Sequence, residues 1–275
     1  MNALKSILVQ MDNSQRSLVR LQVANELATA HAATVRALYP QGPVYVPTTR
    51  RPLYEGQSML PVVADPAVRV SAVRALFDQA GAGSASFASV TGDPVRAFAR
   101  QALCADLLVL GQQQPDDDQD SDLPPDFAES VLMASRKPGI VVPHIGLLSP
   151  VGGVVLVAWK ASPESARALA AALPLLQRAD QVLLATWDDP NPPAQPEAEV
   201  DVVGWLALHG VKATLTSHGA ATRELGEQLL SMVVDVGAGL LVMGCYGQSR
   251  AREWVLGGAT RSILNSMTVP VLMSH

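Results

Sequence analysis

The chain has 275 residues, of which 48% are hydrophobic and 16% charged, and its formal net charge is −5. This length exceeds that of a typical single domain and the apolar content suffices for two cores, so we expect two domains and exclude a disordered chain. Because the charge balance is acidic, no basic surface is available to gather phosphates, which argues against DNA or RNA as a partner.

The amino-terminal run MNALKSILVQMDNS turns polar too soon for the apolar core of a signal peptide, and no apolar stretch in the sequence reaches the length of a bilayer span. We therefore expect a soluble protein in the cytoplasm. Cys104 and Cys245 lie in unrelated contexts without metal-ligand spacing, so we expect buried or half-buried structural thiols.

Short runs rich in Val, Leu and Ile alternate along the chain with helix-length stretches that carry apolar residues at helical spacing. This alternation predicts a parallel sheet covered by helices on both faces. Ser14 and Ser162, the latter followed by Pro163, are predicted helix starts. The predicted strands are 4–11, 33–39, 84–91, 106–111 and 139–143 in the first half, and 152–159, 180–187, 211–217, 239–244 and 270–274 in the second.

The two halves resemble each other. ADLLVLG, which ends at Gly111, parallels AGLLVMG, which ends at Gly244, and both halves end in a similar apolar strand, PGIVVPH and PVLMSH. The sequence thus predicts an internal duplication: an α/β fold of two tandem, doubly wound domains with five-stranded parallel sheets, covering 1–146 and 150–275. Two proline-containing segments, Tyr39–Pro66 and Asp188–Pro196, are predicted surface connections, with partner binding as the alternative.

In an open parallel sheet, ligands bind beyond the carboxyl ends of the strands, where the strand order reverses. After the fourth strand of the second half the chain reads Gly244-Cys-Tyr-Gly247, and after a further nine residues Gly257-Gly258-Ala259-Thr260. Glycines allow backbone amides to converge on an anion, and we expect Gly257–Thr260 to start a helix whose free amides attract negative charge. The alternative is that these glycines only shape tight turns.

This glycine spacing, together with the strand and helix order of both halves, resembles the universal stress protein family. The resemblance implies a Rossmann-like fold of the adenine nucleotide alpha hydrolase type, with ATP or AMP bound in the second half and a role in the stress response. No turnover is expected, because the sequence shows no catalytic base, Walker lysine or evident magnesium site. The chain departs from the family pattern at Gly258, where a residue with a hydroxyl group is usual. Thr260 is a candidate to supply that hydroxyl group instead. The candidate binding residues are Gly244, Gly247, Gln248, Ser249, Gly257, Gly258, Ala259, Thr260, Trp159 and Lys160.

The resemblance also implies an Asp after the first strand that accepts a hydrogen bond from the nucleoside. Asp12 fills this position in the first half, but Lys160 stands there in the second and can only donate. Losing one such bond costs about 1.5–3 kcal/mol, so nucleotide binding is expected to be weakened. Lys160 could instead reach a phosphate, and Trp159 could stack on a base; an ordinary surface lysine and a packed tryptophan are the alternatives.

The loop of the first half lacks the second glycine and carries Asp116, Asp117, Asp118, Asp120 and Asp122. Because these charges repel phosphate, we predict that no triphosphate binds there and that Asp12 serves as a capping or turn residue. The acidic residues between 116 and 129 also partly match a calcium loop, but Leu123 stands where the sharp turn needs glycine, so a solvated loop is the better interpretation.

No catalytic constellation is evident, since the five histidines are scattered without a paired nucleophile or metal-ligand spacing. His218, predicted to lie just beyond a strand, and Arg250 and Arg252 are candidate anion contacts. Three functions follow in order of preference: a regulatory nucleotide- or anion-binding protein, a nucleotide-free interaction scaffold, and a weak ATP-hydrolysing enzyme. The resemblance further implies that the final strands of the halves, at Ile140–Val142 and Val271–Met273, pair within the chain, with homodimerisation open.

Overall fold

The structure, a computed structural model, describes residues 4–42, 65–81, 83–112, 123–147, 150–188, 198–220, 224–245 and 253–275, excluding the side chains of 253–257. Strands and helices alternate along these residues. The strands of the first half are β1 (Ser6–Gln10), β2 (Thr34–Gln41), β3 (Ser86–Thr91), β4 (Leu107–Gly111) and β5 (Gly139–Val142). Those of the second half are β6 (Val154–Trp159), β7 (Gln181–Asp188), β8 (Ala213–Ala220), β9 (Leu240–Gly244) and β10 (Val271–Ser274).

Helices connect these strands. They are α1 (Arg16–His31), α2 (Pro66–Gln79), α3 (Pro94–Ala102) and α4 (Phe127–Ser135) in the first half, and α5 (Pro163–Leu176), α6 (Val202–Leu208), α7 (Leu225–Asp235) and α8 (Glu253–Ser266) in the second. Ser162 caps α5 through its side chain, which accepts from the amide of Ser165, and Pro163 follows in the first turn as predicted.

All ten strands form one sheet in the order β3-β2-β1-β4-β5-β10-β9-β6-β7-β8. Within each half the strands are parallel, and the order reverses beside the first strand of that half, between β1 and β4 and between β6 and β9. The predicted duplicated, doubly wound α/β fold is therefore confirmed.

The two halves meet where β5 and β10 pair antiparallel, with Val271 opposite Val141 and Leu272 opposite Ile140. This is the pairing of terminal strands that we predicted. It removes two sheet edges that would otherwise be exposed, and it makes the two apolar layers continuous from one half to the other. One layer lies under α1, α2, α5 and α6, and the other under α3, α4, α7 and α8.

Three local predictions are wrong. The N-cap position of α1 is Gln15 rather than Ser14, without a capping side-chain hydrogen bond, and the Ser14 side chain is hydrogen-bonded to Asp12 instead. The connection predicted to begin at Tyr39 begins later, since Tyr39 is fully buried within β2. Cys104 is exposed rather than buried, whereas Cys245 is buried as expected.

Among the residues that the structure describes, no helix combines the length and the apolar character needed to cross a bilayer.

Candidate functional site

The carboxyl end of β1 in the first half holds a closed polar network centred on Asp12. Arg20 Nη2 lies 2.7 Å from Asp12 Oδ2, and both side chains are almost completely buried. Asp12 Oδ1 accepts hydrogen bonds from the amide of Ser14 at 3.0 Å and from the hydroxyl groups of Ser14 and Ser17. The predicted turn role of Asp12 is thus confirmed, and its carboxylate oxygens are already engaged by the chain's own donors.

Arg20 and Gln10 extend this network from β1 to β4. Arg20 Nε donates to the carbonyl of Gln10 at 2.9 Å, and its Nη2 also donates to Ser17 Oγ at 2.8 Å. The Gln10 side chain donates to Asp12 Oδ2 and accepts from the amide of Gly111 at 2.8 Å. A Cβ at Gly111 would collide with Arg20 Nη1, so the guanidinium lies directly against this glycine. The point where strand order reverses is therefore filled by side chains.

The pKa of Asp12 is lowered from its ordinary value of 3.8. Burial alone would raise it, but the charge of Arg20 and the hydrogen bonds from Ser14 outweigh that effect. Asp12 is therefore ionised at neutral pH, and the buried pair is a carboxylate with a guanidinium.

The second half replaces the charged members of this network. When the ends of the first strands of the two halves are aligned, Lys160 occupies the position of Asp12, and Ala168 occupies the position of Arg20. Lys160 is exposed, and Ala168 is buried in the apolar layer beneath α5. Trp159, at the end of β6, is half-buried and packs against the same layer. Neither the carboxylate nor the guanidinium that fills the first half is present at the equivalent positions.

Gly244 ends β9 and lies against the first turn of α5. A Cβ at Gly244 would come within 2.6 Å of the Ser165 nitrogen and 2.7 Å of the Glu164 carbonyl carbon, which are both backbone atoms. The amide of the next residue, Cys245, donates to the carbonyl of Ser274 at 3.0 Å and so continues the pairing with β10. The direct role of Gly244 in the described structure is therefore the close approach of a helix to a strand.

A buried acid lies beside this glycine. The side chain of Glu164 is 6% exposed, and its Oε1 pairs with Arg167 Nη2 at 3.0 Å. Arg167 Nε in turn donates to the carbonyl of His275 at 2.8 Å. Burial, together with the negative charges of Glu164 and Glu129, raises the pKa of the Cys245 thiol to about 12. The strand end at Gly244 is thus adjacent to a partly neutralised negative charge.

The prediction that a helix starts at Gly257 is wrong. Helix α8 starts at Glu253, so Gly257, Gly258, Ala259 and Thr260 lie within it. Amides beyond the first turn of a helix bond to carbonyls four residues earlier, which removes them from an anion-binding role. Gly258 is exposed, while Ala259 and Thr260 are buried.

The remaining loop candidates, Gly247, Gln248, Ser249, Arg250 and Arg252, lie outside the described residues, so their role in binding stays a prediction. The first-half loop carrying Asp116, Asp117, Asp118, Asp120 and Asp122 lies outside them as well. Of the predicted calcium-loop residues, Asp126 accepts from Ser130 Oγ at 2.8 Å and Glu129 lies in the first turn of α4. In the described part of the chain no group of three His, Cys, Asp or Glu side chains could hold a metal ion.

His218 lies within β8 rather than beyond it, which corrects the predicted position. Its ring stacks on that of Trp187 of the neighbouring strand β7, with centroids 5.3 Å apart. The two rings form an aromatic pair at the carboxyl end of the outermost strands. No phosphate contact is needed to account for the place of His218.

Sequence reasoning missed Arg20 and Glu164, which decide the electrostatics of the two strand ends. A signal was present for Arg20: it shares the buried face of α1 with Ser17, Leu21 and Ala24, so a charge there requires a buried partner. Glu164 gave a weaker signal, because an acid in the first turn of a helix is ordinary on the surface as well.

Comparison with solved structures agrees with this architecture. A universal stress protein from Archaeoglobus fulgidus is 16% identical with a TM-score of 0.68, and the match covers 98% of this chain and 97% of that one. This chain has the universal stress protein fold. Two Pseudomonas aeruginosa proteins are also similar. One, of unknown function, is 13% identical with a TM-score of 0.59, and the match covers 99% of this chain and 92% of that one. The other, assigned to the universal stress proteins, is 14% identical with a TM-score of 0.58, and the match covers 99% of this chain and 93% of that one.

A shorter universal stress protein, solved in complex with cAMP, matches 51% of this chain over 98% of its own length, at 20% identity and a TM-score of 0.35. No protein-family model matches the sequence. No curated protein matches it either.

Proposed function

We propose that this chain is a non-catalytic regulatory protein of the universal stress type that acts in the cytoplasm. Its first half is closed to nucleotide by its own side chains, and its second half is the place for an adenine nucleotide, ATP or AMP. The observation that carries the proposal is the difference between the two strand ends: the Arg20–Asp12 pair fills one, and Ala168 and Lys160 stand at the equivalent positions of the other.

The closure of the first half rests on energetics. A nucleotide entering between β1 and β4 would have to displace Arg20 from Gly111 and leave the buried Asp12 carboxylate unpaired. Breaking a buried ion pair by removing one partner costs about 3–5 kcal/mol, which is a large part of the roughly 8 kcal/mol of a micromolar complex. The first half therefore serves as a structural domain.

Lys160 supports a binding role for the second half. It is exposed at the end of β6, where a cation can neutralise a phosphate but cannot accept from a nucleoside. Turnover is not part of the proposal: the serine hydroxyls that lie beside the Asp12 carboxylate are buried within the closed network of the first half.

A second candidate is a nucleotide-free interaction scaffold, and Glu164 favours it. A phosphate at Gly244 would lie beside this buried carboxylate, and two like charges about 4 Å apart repel by about 4 kcal/mol at an effective dielectric constant of about 20. Arg167 offsets part of this repulsion. The amide of Cys245 already donates to Ser274, so it is lost to an anion as well.

Titration calorimetry with ATP and with AMP separates the two candidates. The first candidate predicts heat and a rise in melting temperature, both abolished by Gly247→Asp and both reduced by Lys160→Ala, which removes the cation that would neutralise a phosphate. Lys212→Ala, the same change at another exposed lysine, is the control. No heat from the wild type would reject nucleotide binding in favour of the scaffold. Phosphate release in proportion to protein concentration would instead reveal an enzyme.

A further inference from the structure

Gln112, the first residue after β4, makes a hydrogen bond from the first half of the chain to the second. Its Nε2 donates to the carbonyl of Leu264 at 2.8 Å, across 152 positions of sequence. Its Oε1 accepts from the backbone amide of His144 and lies 2.9 Å from His144 Nδ1. The side chain is buried, so both ends of the amide are satisfied by partners that belong to different halves.

The Leu264 carbonyl lies in the last turn of α8, where helix carbonyls have no partner within the helix. A buried carbonyl without a hydrogen bond is costly, so a donor supplied from outside stabilises this end of the helix. Helix α8 is therefore terminated in part by a residue of the other half.

The equivalent position of the second half does not form the corresponding link to the first half. Cys245 follows β9 as Gln112 follows β4, and the backbone amides of both residues donate to the strand beside them, to Ser274 and Val142 respectively. A thiol lacks the reach and the two-ended hydrogen bonding of a glutamine amide. Of the two equivalent positions, Gln112 alone has a side chain suited to hold the opposite half.

We propose that Gln112 is a positioning residue that couples the halves: it fixes the carboxyl end of α8 to the β4–β5 end of the first half, so that opening of α8 is controlled from outside its own domain. The same helix carries Gly258, Ala259 and Thr260. Coupling is reciprocal, so a ligand that orders α8 would also strengthen the Gln112 link. The proposal itself holds with or without a nucleotide.

Hydrogen exchange measured by mass spectrometry on the full chain tests this coupling. Gln112→Leu should raise exchange about tenfold in the last two turns of α8 while α7 keeps its wild-type rate, since a buried hydrogen bond has been removed from one helix end. Gln112→Glu still accepts from His144 but cannot donate to Leu264, so it should loosen α8 and leave the segment around His144 protected.

Gln177→Leu is the matched control, because Gln177 Nε2 also donates to a carbonyl, that of His209, at 2.8 Å, but at an exposed site within one half. It should change exchange only near His209. Unchanged exchange of α8 in both Gln112 variants would overturn the proposal. An equal rise in all segments would overturn it too, because it would indicate general destabilisation. If Gln112→Leu fails to fold, Gln112→Glu decides by the same comparison.

Discussion

Arg20 and Asp12 form an ion pair at 2.7 Å in which both side chains are at most 3% exposed, and the pair occupies the point where the strand order of the first half reverses. Arg74 and Asp78 form an ion pair at 3.0 Å with side chains that are more than half exposed. The chain thus contains a buried pair and a matched surface pair of the same residue types.

Removing one partner of the buried pair should lower the free energy of unfolding far more than removing one partner of the surface pair. Arg20→Met leaves the Asp12 carboxylate buried without a counter-charge, and we expect it to lower the free energy of unfolding by about 3–5 kcal/mol. Asp78→Ala should cost less than about 1 kcal/mol, because solvent screens that pair. Urea denaturation of both variants measures the difference. The double variant Asp12→Asn with Arg20→Met should recover part of the loss, and equal effects of the two single variants would contradict this interpretation.

Asp12 should make the fold sensitive to acid. Its pKa is lower in the folded protein than its ordinary value of 3.8, so the unfolded chain binds its proton at a higher pH than the folded chain does. The stabilisation is therefore complete above about pH 5 and is lost as pH falls through 3.8 toward the folded pKa. The free energy of unfolding between pH 6 and 3 should fall more steeply for the wild type than for the Asp12→Asn, Arg20→Met variant. Parallel curves would show that Asp12 does not titrate in this way.

The strands could be predicted from the sequence because each is a run of Val, Leu or Ile between polar turns. The largest discrepancy among the strands is the end of β8, which the sequence pattern predicts at 217 and which extends to Ala220. The residues Ser217, His218 and Gly219 near its end carry no apolar signal, and the strand continues because Ser217 pairs with Thr186 and Ala220 with Asp188 of β7, on either side of an irregularity. Tertiary contact decides this boundary, and local sequence does not.

The candidate site could be predicted less well than the fold. The alignment of Asp12 with Lys160 identified the two strand ends. Which side chains fill each strand end, however, depends on Arg20 and Glu164, which lie one or two helical turns further along the chain. Whether such a side chain turns inward depends on the distance between helix and strand, which the sequence pattern does not specify. The prediction of a helix start from the glycines failed for a related reason. Gly258 lies at an exposed position within α8, where no turn explains a glycine.

Two glycines should respond in opposite directions to the same substitution. Gly244→Ala places a Cβ against the backbone of Glu164 and Ser165, which cannot rotate away, so we expect a loss of about 1–3 kcal/mol. Gly258→Ala meets no atom within 4 Å in an exposed part of α8 and should gain about 0.5–1 kcal/mol from helix propensity. Thermal unfolding of the two variants provides the comparison. A loss at Gly258 would indicate that this position is not helical.

The two cysteines should differ in reactivity by orders of magnitude. Cys104 is exposed, whereas Cys245 is buried and burial raises its pKa to about 12, so at pH 8 only about one Cys245 side chain in ten thousand is the reactive thiolate. A disulfide reagent such as dithionitrobenzoate should label one thiol per native chain and two after denaturation. Cys104→Ser should abolish the native label and leave one in the denatured chain. Labelling of Cys245 in the native Cys104→Ser protein would mean that the β9 end opens to solvent, and the first turn of α5 would then not be packed against Gly244 as the structure has it.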